Sequence, residues 1–250
     1  MTTPRLLFPL PARDDASMRA AGRFCKATVP ALRDVTAYGI PVVALVVLGL
    51  RPGPTAAALA AARDTAVRAL CATPLESLLA DPRLAGYHAL HAEIGRRGRQ
   101  FVPAPESLLR VLHRRRAWRS LSPLIDCYNL VALATCVSIG AHDLARVNLP
   151  IALDVLPEEA SLVAIGEAAP LRLGKGEYVY RDAQGTLLGR LECRQAAHSC
   201  VRDDTRDVLF ILQGHRALDR ESLLQAADVL TAALATYCGS WESAEVSTSR

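Results

Sequence analysis

The stretch RSLSPLIDCYN, residues 119–129, predicts the start of a buried helix in the middle of an apolar chain. Ser122 can cap the free backbone N–H groups of the first turn, and the ring of Pro123 already holds the first helical φ. Asp126 and Asn129 should then share one face of the helix. The apolar surface of this helix is too wide for an exposed position, so we expect both polar side chains to be partly buried and to need hydrogen-bond partners.

Length and composition indicate a single globular domain over residues 1–250, because 51% of the 250 residues are hydrophobic. Seven cysteines without a CxxC pair favour inert thiols in a reducing cytoplasm. The first fifteen residues lack the pattern of a secretion signal. The longest apolar run, residues 41–50, suits a buried strand and is far shorter than a membrane span of about 20 residues. We therefore predict no membrane segment and a cytoplasmic location.

Positive charge is concentrated in residues 96–119, where eight arginines stand against a single glutamate, Glu106. The formal net charge is +4, so the rest of the chain is about −3. Guanidinium groups bind phosphate bidentately and stack on bases, which predicts an RNA surface here. A solvated face without a partner is the alternative interpretation. The predicted RNA contacts are Arg96, Arg97, Arg99, Arg114, Arg115, Arg116 and Arg119.

The first half of the chain is predicted to be mainly helical. Alanine and leucine at helical spacing predict a helix at residues 55–71. The remaining predicted elements are a helix near residues 18–28, the strand at 41–50, helices at 82–94 and 106–117 around a basic loop at 95–105, and the capped helix from 122 to about 135.

The second half is predicted to be rich in strands, and this order of elements indicates an α+β fold. Residues 177–181 and 186–191 should form a hairpin across 182–185. Other predicted elements are strands at 151–155, 162–165 and 207–213, a helix at 223–238, and a frayed tail after Trp241. We expect one mixed β-sheet flanked by helices, with a helical portion at about 1–120 and a strand-rich portion at about 121–240.

Four motifs in fixed order resemble the B3/4 domain, the editing module of the phenylalanyl-tRNA synthetase beta subunit, and more closely its freestanding relatives. The motifs are SPLIDCYN at residues 122–129, VSIGAHDL at 137–144, Arg194-Gln195, and RDDTRDVLF at 202–210. The resemblance covers about residues 85–215. It implies a B3/4-like fold with a pocket that receives the acylated 3′ end of a tRNA and hydrolyses the ester when the amino acid is wrong. It also makes an aminoacyl-tRNA synthetase a possible partner, and it implies no cofactor.

The same resemblance implies the roles of several residues. Asn129 matches the family's helix asparagine near the substrate, whereas Gly140 stands where the synthetase module has a histidine. The strand at 208–212 lacks the glutamate that selects a hydroxylated side chain in the synthetase. An apolar pocket that prefers a small or aliphatic amino acid is therefore expected, although such pockets discriminate a methylene by only about 1 to 3 kcal/mol.

Little protein chemistry is needed to hydrolyse an activated ester, because positioning and oxyanion stabilisation can suffice. We predict Asn129, Arg194 and Gln195 as the catalytic residues, with the two amides holding water or the amino group and Arg194 holding phosphate or developing negative charge. Predicted substrate-binding residues are Asp126, Tyr128, Gly140, Ala141, His142 and Thr205. Structural roles remain open for Asp126 and for the pair Arg194 and Gln195.

Three other arrangements of catalytic or metal-binding residues are incomplete in the sequence. His142 and Asp143 could form a base with its orienting acid, but adjacent residues rarely point at one another. Cysteine nucleophiles would need a spatial convergence with a histidine that the sequence does not show. His88 and His91 are three residues apart on a predicted helix with Glu93 nearby, yet no third and fourth ligand is evident, so no metal site is predicted.

The sequence thus predicts a trans-acting hydrolase that clears mischarged tRNA. The alternative is a non-catalytic tRNA-binding or RNA-binding module, or an amino-acid sensor of the same fold, because fold does not fix function.

Overall fold

A computed structural model of the chain describes residues 23–26, 39–52, 56–96 and 101–248. Its helices are α1 (Ala56–Ala72), α2 (Leu75–Leu79), α3 (Pro82–Glu93), α4 (Ala104–Arg115), α5 (Pro123–Thr135) and α6 (Arg220–Tyr237). Its strands are β1 (Arg23–Lys26), β2 (Val42–Leu48), β3 (Arg51–Pro52), β4 (Ser138–Asp143), β5 (Ala152–Val155), β6 (Ala160–Leu162), β7 (Leu171–Leu173), β8 (Tyr178–Arg181), β9 (Leu187–Arg190), β10 (Arg194–Gln195), β11 (Val208–Gln213), β12 (Gly239–Ser240) and β13 (Ser243–Thr248). A short 3-10 helix, Leu144–Arg146, follows β4.

The described part of the molecule has two larger sheets and two two-stranded ones, β12-β3 and β6-β7. The first has five strands in the order β1-β13-β2-β11-β4, and it is mixed because β1 runs parallel to β13 while the other pairs are antiparallel. The second has four antiparallel strands in the order β10-β9-β8-β5. The predicted α+β class is confirmed. The helical first half nevertheless supplies β2, which pairs with β11 and β13 from the second half.

The five-stranded sheet has a different neighbour on each face. Alternate residues of β2 and β11, such as Leu45 and Phe210, pack with α1, α5 and α6 in the main core. The residues between them, such as Val46 and Ile211, pack with β5, β8 and β9 in a second core. A strand covered on both faces must be apolar along its whole length, which explains the uninterrupted apolar runs of β2 and β11.

The helix α5 begins as its sequence predicts. The side-chain oxygen of Ser122 accepts a hydrogen bond from the backbone N–H of Ile125 at 3.3 Å, and Pro123 occupies the first turn. Cys136 ends the helix in the left-handed region with φ of 60°. The cap and the buried apolar face together fix α5 against the main core.

Two local predictions are wrong. Residues 23–26 form the strand β1 where a helix near 18–28 was expected, and the rest of that segment lies outside the described residues. The tail after Trp241 is not frayed, because β13 pairs with β2 and buries Ala244 completely. Its small, polar and β-branched residues gave little hydrophobic signal, although such residues suit a strand once a neighbour is present. No helix among the described residues is long and apolar enough to cross a membrane.

Candidate functional site

A cavity of about 200 Å³ opens between the edge strand β4 and the four-stranded sheet. The first residue of α4 and the turn between β9 and β10 close two of its sides. Its walls combine apolar groups with charged and amide groups, as ligand sites commonly do. The lining residues are Ala104, Ser138, Ile139, Gly140, His142, Tyr180, Leu188, Gly189, Arg190, Glu192, Cys193, Arg194, Gln195, Ile211 and Gln213.

Strand alternation decides which residues of β4 face the cavity. Ile139 and Ala141 belong to the main core on the helical side, whereas Gly140 and His142 lie on the cavity side. A Cβ placed on Gly140 would lie 3.5 Å from Oε1 of Gln195 and 3.9 Å from Nε2 of His142. Both of those atoms therefore border the same small space above Gly140.

Gln195 crosses from β10 to the edge of β4. Its Nε2 donates a hydrogen bond of 2.5 Å to the carbonyl oxygen of Ala141 and lies 3.5 Å from Nδ1 of His142. The predicted contribution of Ala141 is thus made by its backbone, because its side chain is buried on the other face. This hydrogen bond orients the amide so that Oε1 remains beside the cavity.

The imidazole of His142 is only 3% exposed. Its Nδ1 lies 2.8 Å from the hydroxyl oxygen of Ser199, which is fully buried. Burial, with a smaller contribution from His198, lowers the pKa of His142 from 6.5 to about 3. The ring is therefore neutral at physiological pH. Nε2 of Gln195 can only donate and lies 3.5 Å from Nδ1, which favours an unprotonated Nδ1, so we assign the ring proton to Nε2, the atom that borders the cavity.

Two arginines give the cavity positive charge. Arg190 is 8% exposed, pairs with Glu177 through hydrogen bonds of 2.5 and 2.8 Å, and lies 4.4 Å from the ring centre of Phe101. Arg194 lines the cavity and is exposed at its rim. The guanidinium of Arg190 is held by its carboxylate and aromatic partners, whereas Arg194 is an exposed residue at the rim.

Glu192 brings a carboxylate to the cavity from the turn between β9 and β10. Its side chain is completely covered, and its Oε1 contacts Nε2 of His91. Its Oε2 is buried without a hydrogen-bond partner among the described residues. Cys193 follows it, and burial raises the pKa of that thiol to about 12.

The structure corrects the interpretation of Asp126. Its carboxylate is 2% exposed and accepts hydrogen bonds from Nε1 of Trp118 at 3.0 Å, the hydroxyl of Ser120 at 2.5 Å and the backbone N–H of Leu121 at 3.2 Å. The guanidinium of Arg63 lies 3.5 Å away. Asp126 therefore fastens the segment that precedes α5, and it does not line the cavity.

Three further predicted residues also lie away from the cavity lining. Asn129 is half-buried on α5, a helix that packs on the other face of the five-stranded sheet. The ring of Tyr128 packs at 6.1 Å from that of Phe210 in the main core. Thr205 binds its own loop, since its hydroxyl accepts from the N–H of Arg202 at 2.9 Å and donates to Asp143 at 3.2 Å. Of the predicted catalytic trio, only Arg194 and Gln195 come together.

The predicted RNA contacts separate into two groups. Arg114, Arg115, Arg116 and Arg119 are exposed at and beyond the carboxyl end of α4. Arg96 is 7% exposed and donates hydrogen bonds to the carbonyls of Leu191 and Tyr178 at 3.0 and 2.8 Å, so it is a structural cation and not part of an exposed surface. Arg97 and Arg99 lie outside the described residues.

Sequence reasoning missed the cavity residues Arg190 and Glu192, and it missed Ser199, which contacts His142. The segment RLECRQ at residues 190–195 carries four polar or charged side chains at the end of a strand, which is a signal that points to a site. Ser199 gave no such signal, because its role depends on a contact with a residue 57 positions away.

Comparison with known proteins gives a matching family and similar solved structures. The B3/4 domain family matches residues 87–239, more than half of the chain. The chain is also similar to the crystal structure of an N-terminal fragment of the phenylalanyl-tRNA synthetase beta subunit from Pyrococcus horikoshii, at 15% sequence identity and a TM-score of 0.47. That similarity covers 90% of this chain and 52% of the other, so the chain spans about half the length of the fragment. The comparison with curated proteins gives no match.

Proposed function

The chain belongs to the B3/4 domain family, and we propose from this premise that it is a cytoplasmic, trans-acting hydrolase that deacylates mischarged tRNA. The observation that carries the proposal is the space above Gly140, bordered by Oε1 of Gln195 and Nε2 of His142. An ester placed there meets a hydrogen-bond acceptor and a hydrogen-bond donor at once. Hydrolysis by an external water needs both kinds of group.

Gln195 supplies the acceptor. Its amide is oriented by the hydrogen bond to the carbonyl of Ala141, so Oε1 can accept a hydrogen bond from the attacking water and hold that water against the ester, while the proton of the water passes to the leaving ribose oxygen. A neutral amide is a weak base, and the adjacent ribose hydroxyl of the substrate can share the proton transfer. The protein's contribution is then mainly positioning.

His142 supplies the donor. A histidine with a pKa of about 3 is a poor general base, but as a neutral N–H donor it can stabilise the oxyanion that develops on the ester carbonyl. Nε2 of Gln195 faces Nδ1 and thereby keeps the proton on the cavity side. Burial makes the hydrogen bond stronger than it would be in water.

The cavity volume and its walls restrict the amino acid. About 200 Å³ admits a small side chain, and Leu188 and Ile211 provide an apolar surface for it. No acid on β11 faces this wall, which agrees with the expectation that the specificity of the synthetase module for a hydroxylated side chain does not apply. We propose a small or aliphatic amino acid as the group removed.

The basic residues at the end of α4 are proposed to contact the tRNA backbone. The helix begins at the cavity with Ala104 and has 12 residues, so its basic end lies about 18 Å from the site. We propose that Arg194, which lies at the rim of the cavity, contacts the terminal phosphate of the tRNA. A synthetase partner that delivers mischarged tRNA is compatible with this arrangement.

The proposal is tested by measuring deacylation of a panel of mischarged tRNAs by the purified protein, as a rate above spontaneous hydrolysis. Enzyme-dependent loss of one or a few small amino acids is expected. A flat panel under conditions where tRNA binding is demonstrated would reject the hydrolase and leave a tRNA-binding module of the same fold. Absence of both activities, with binding of a free amino acid, would instead indicate a sensor.

A further inference from the structure

A cluster of three different metal-ligating groups lies at the floor of the cavity. The nitrogen of His91, a carboxylate oxygen of Glu192 and the sulfur of Cys193 all lie within 4.8 Å of one another. His91 is 3% exposed on α3, whereas the other two residues are consecutive in the turn between β9 and β10. Folding therefore brings together ligands that are about 100 positions apart in the sequence.

The sequence pairs His91 with His88, but the structure separates them. Nε2 of His88 hydrogen-bonds to Glu106 at 2.5 Å on the exposed side of α3. The ring of His91 turns inward, toward Glu192. The missing ligands thus come from the turn, which sequence spacing alone did not indicate.

The carboxylate of Glu192 is only half satisfied. Its Oε1 contacts His91, but its Oε2 is buried with no partner among the described residues, and the side chain has no exposed surface. A buried carboxylate oxygen without a partner is costly. A cation placed between the three groups would satisfy it.

The charge of Arg96 acts on Glu192, but neither Arg96 nor Arg190 donates a hydrogen bond to Oε2. Arg96 donates its two terminal nitrogens to the carbonyls of Leu191 and Tyr178, and Arg190 pairs with Glu177. An ion pair of His91 with Oε1 of Glu192 would leave Oε2 without a partner and would not involve the thiol of Cys193. Moreover, Glu192 has a φ of 36°, a strained backbone conformation for a residue that is not glycine.

We propose that His91, Glu192 and Cys193 bind one divalent transition metal of the zinc class. An imidazole, a thiolate and a carboxylate together match the ligand preference of Zn²⁺, whereas Mg²⁺ and Ca²⁺ prefer oxygen ligands alone. Three protein ligands leave one coordination position for water, as in catalytic zinc sites. Glu192 and Cys193 both line the cavity, so that position faces it.

One consequence of this site rests on the proposed function. The ion would lower the pKa of a water bound to it, which would supply a stronger nucleophile than the neutral water of the proposed function. Metal binding itself does not depend on deacylation, and the two are measured separately.

The test is metal binding to the full chain after treatment with a chelator. Zn²⁺ is titrated in competition with a chromophoric chelator, and Co²⁺ is used to look for a thiolate-to-cobalt charge-transfer band. The expected result is one equivalent of metal, with affinity reduced at least 10-fold in Cys193→Ser and in Glu192→Gln. The cobalt band should be lost in Cys193→Ser.

The matched control is Cys71→Ser, which changes a half-buried thiol on α1 outside the cluster. This variant should bind one equivalent and keep the cobalt band. Circular dichroism establishes that each variant is folded, and Glu192→Gln, which keeps the shape of the side chain, serves if Cys193→Ser does not fold. Substoichiometric binding by the wild type, or unchanged affinity in Cys193→Ser and Glu192→Gln, would overturn the site whatever the deacylation result.

Discussion

Nε2 of Gln195 donates a hydrogen bond of 2.5 Å to the carbonyl oxygen of Ala141. This contact joins β4, an edge strand of the five-stranded sheet, to β10, an edge strand of the four-stranded sheet. It also fixes which end of the amide faces the cavity, because Oε1 then lies beside Gly140. The position of one side-chain oxygen is thus set by an inter-sheet contact, and the proposed hydrolysis depends on it.

Replacement of Asp126 should destabilise the fold without acting through the cavity. Asp126→Ala removes a buried carboxylate that accepts three hydrogen bonds and pairs with Arg63. We expect a decrease of about 1 to 3 kcal/mol in the free energy of unfolding, measured by urea denaturation. Asp64→Ala removes an exposed partner of the same arginine and should cost less than about 0.5 kcal/mol. Equal effects of the two substitutions would contradict the structural role.

The buried His142 should make stability depend on pH. Because its pKa is lowered from 6.5 to about 3, the unfolded chain binds a proton between these values that the native state does not bind. The free energy of unfolding should therefore fall as pH decreases from 6.5 toward 3, by at most about 1.4 kcal/mol per pH unit. His142→Asn retains a polar partner for Ser199 and removes the titrating group. Chemical denaturation at several pH values should show a shallower slope for this variant, and an unchanged slope would contradict the assignment.

The exposed arginines at the end of α4 should control tRNA affinity. A triple alanine variant of Arg114, Arg115 and Arg119 should weaken binding, and the slope of log affinity against log salt should fall by about one unit for each phosphate that is no longer neutralised. Arg116 is left in place, because it ends α4 in the left-handed region and donates to the carbonyl of Cys71 at 2.7 Å.

The control for this variant removes the same charge from exposed residues elsewhere: Arg172, Lys175 and Arg216. Filter binding or fluorescence anisotropy at several salt concentrations gives both the affinity and the slope. Equally weakened binding in the two triple variants would show that net charge alone governs binding, and would reject the end of α4 as the RNA contact.

Two glycines of the cavity should respond differently to alanine. At Gly140 a Cβ meets nothing closer than 3.5 Å, so Gly140→Ala should fold normally but slow deacylation, because its methyl group would occupy the space proposed for the ester. At Gly189 a Cβ would lie 2.9 Å from the carbonyl oxygen of Arg194, and the backbone of β10 would have to move. We expect Gly189→Ala to cost about 1 to 3 kcal/mol and to slow deacylation. Thermal unfolding measures the change in stability of each variant, and deacylation assays measure the change in activity.

Local signals predicted much of this fold. The cap at Ser122, the apolar runs of β2 and β11 and the hairpin of β8 and β9 each depend on neighbouring residues, and all of these elements form. The strand β13 was missed because it becomes favourable only beside β2, which lies about 200 positions earlier. The resemblance to the B3/4 domain is confirmed by the family match.

The candidate site was less predictable than the fold. Helical spacing placed Asp126 and Asn129 on one face, but it did not say what that face contacts. Gln195 and Gly140 were identified through the motifs, whereas Glu192 and its contact with His91 arise only when the turn after β9 meets α3. The motifs therefore identified Gly140 and Gln195 on one side of the cavity, whereas Glu192 and His91 come together only in the folded chain.

The most direct test of the proposed hydrolase compares two amide side chains, one in the cavity and one on α5. Deacylation of the mischarged tRNA that the wild type clears is measured for Gln195→Ala and for Asn129→Ala, with tRNA binding measured in parallel. Removal of a positioned polar group in an active site typically costs about 100-fold in rate, so Gln195→Ala should lose activity to that extent while retaining tRNA binding, and Asn129→Ala should remain close to the wild type. Wild-type activity in Gln195→Ala, or loss of activity in Asn129→Ala alone, would contradict the assignment of the cavity as the site of hydrolysis.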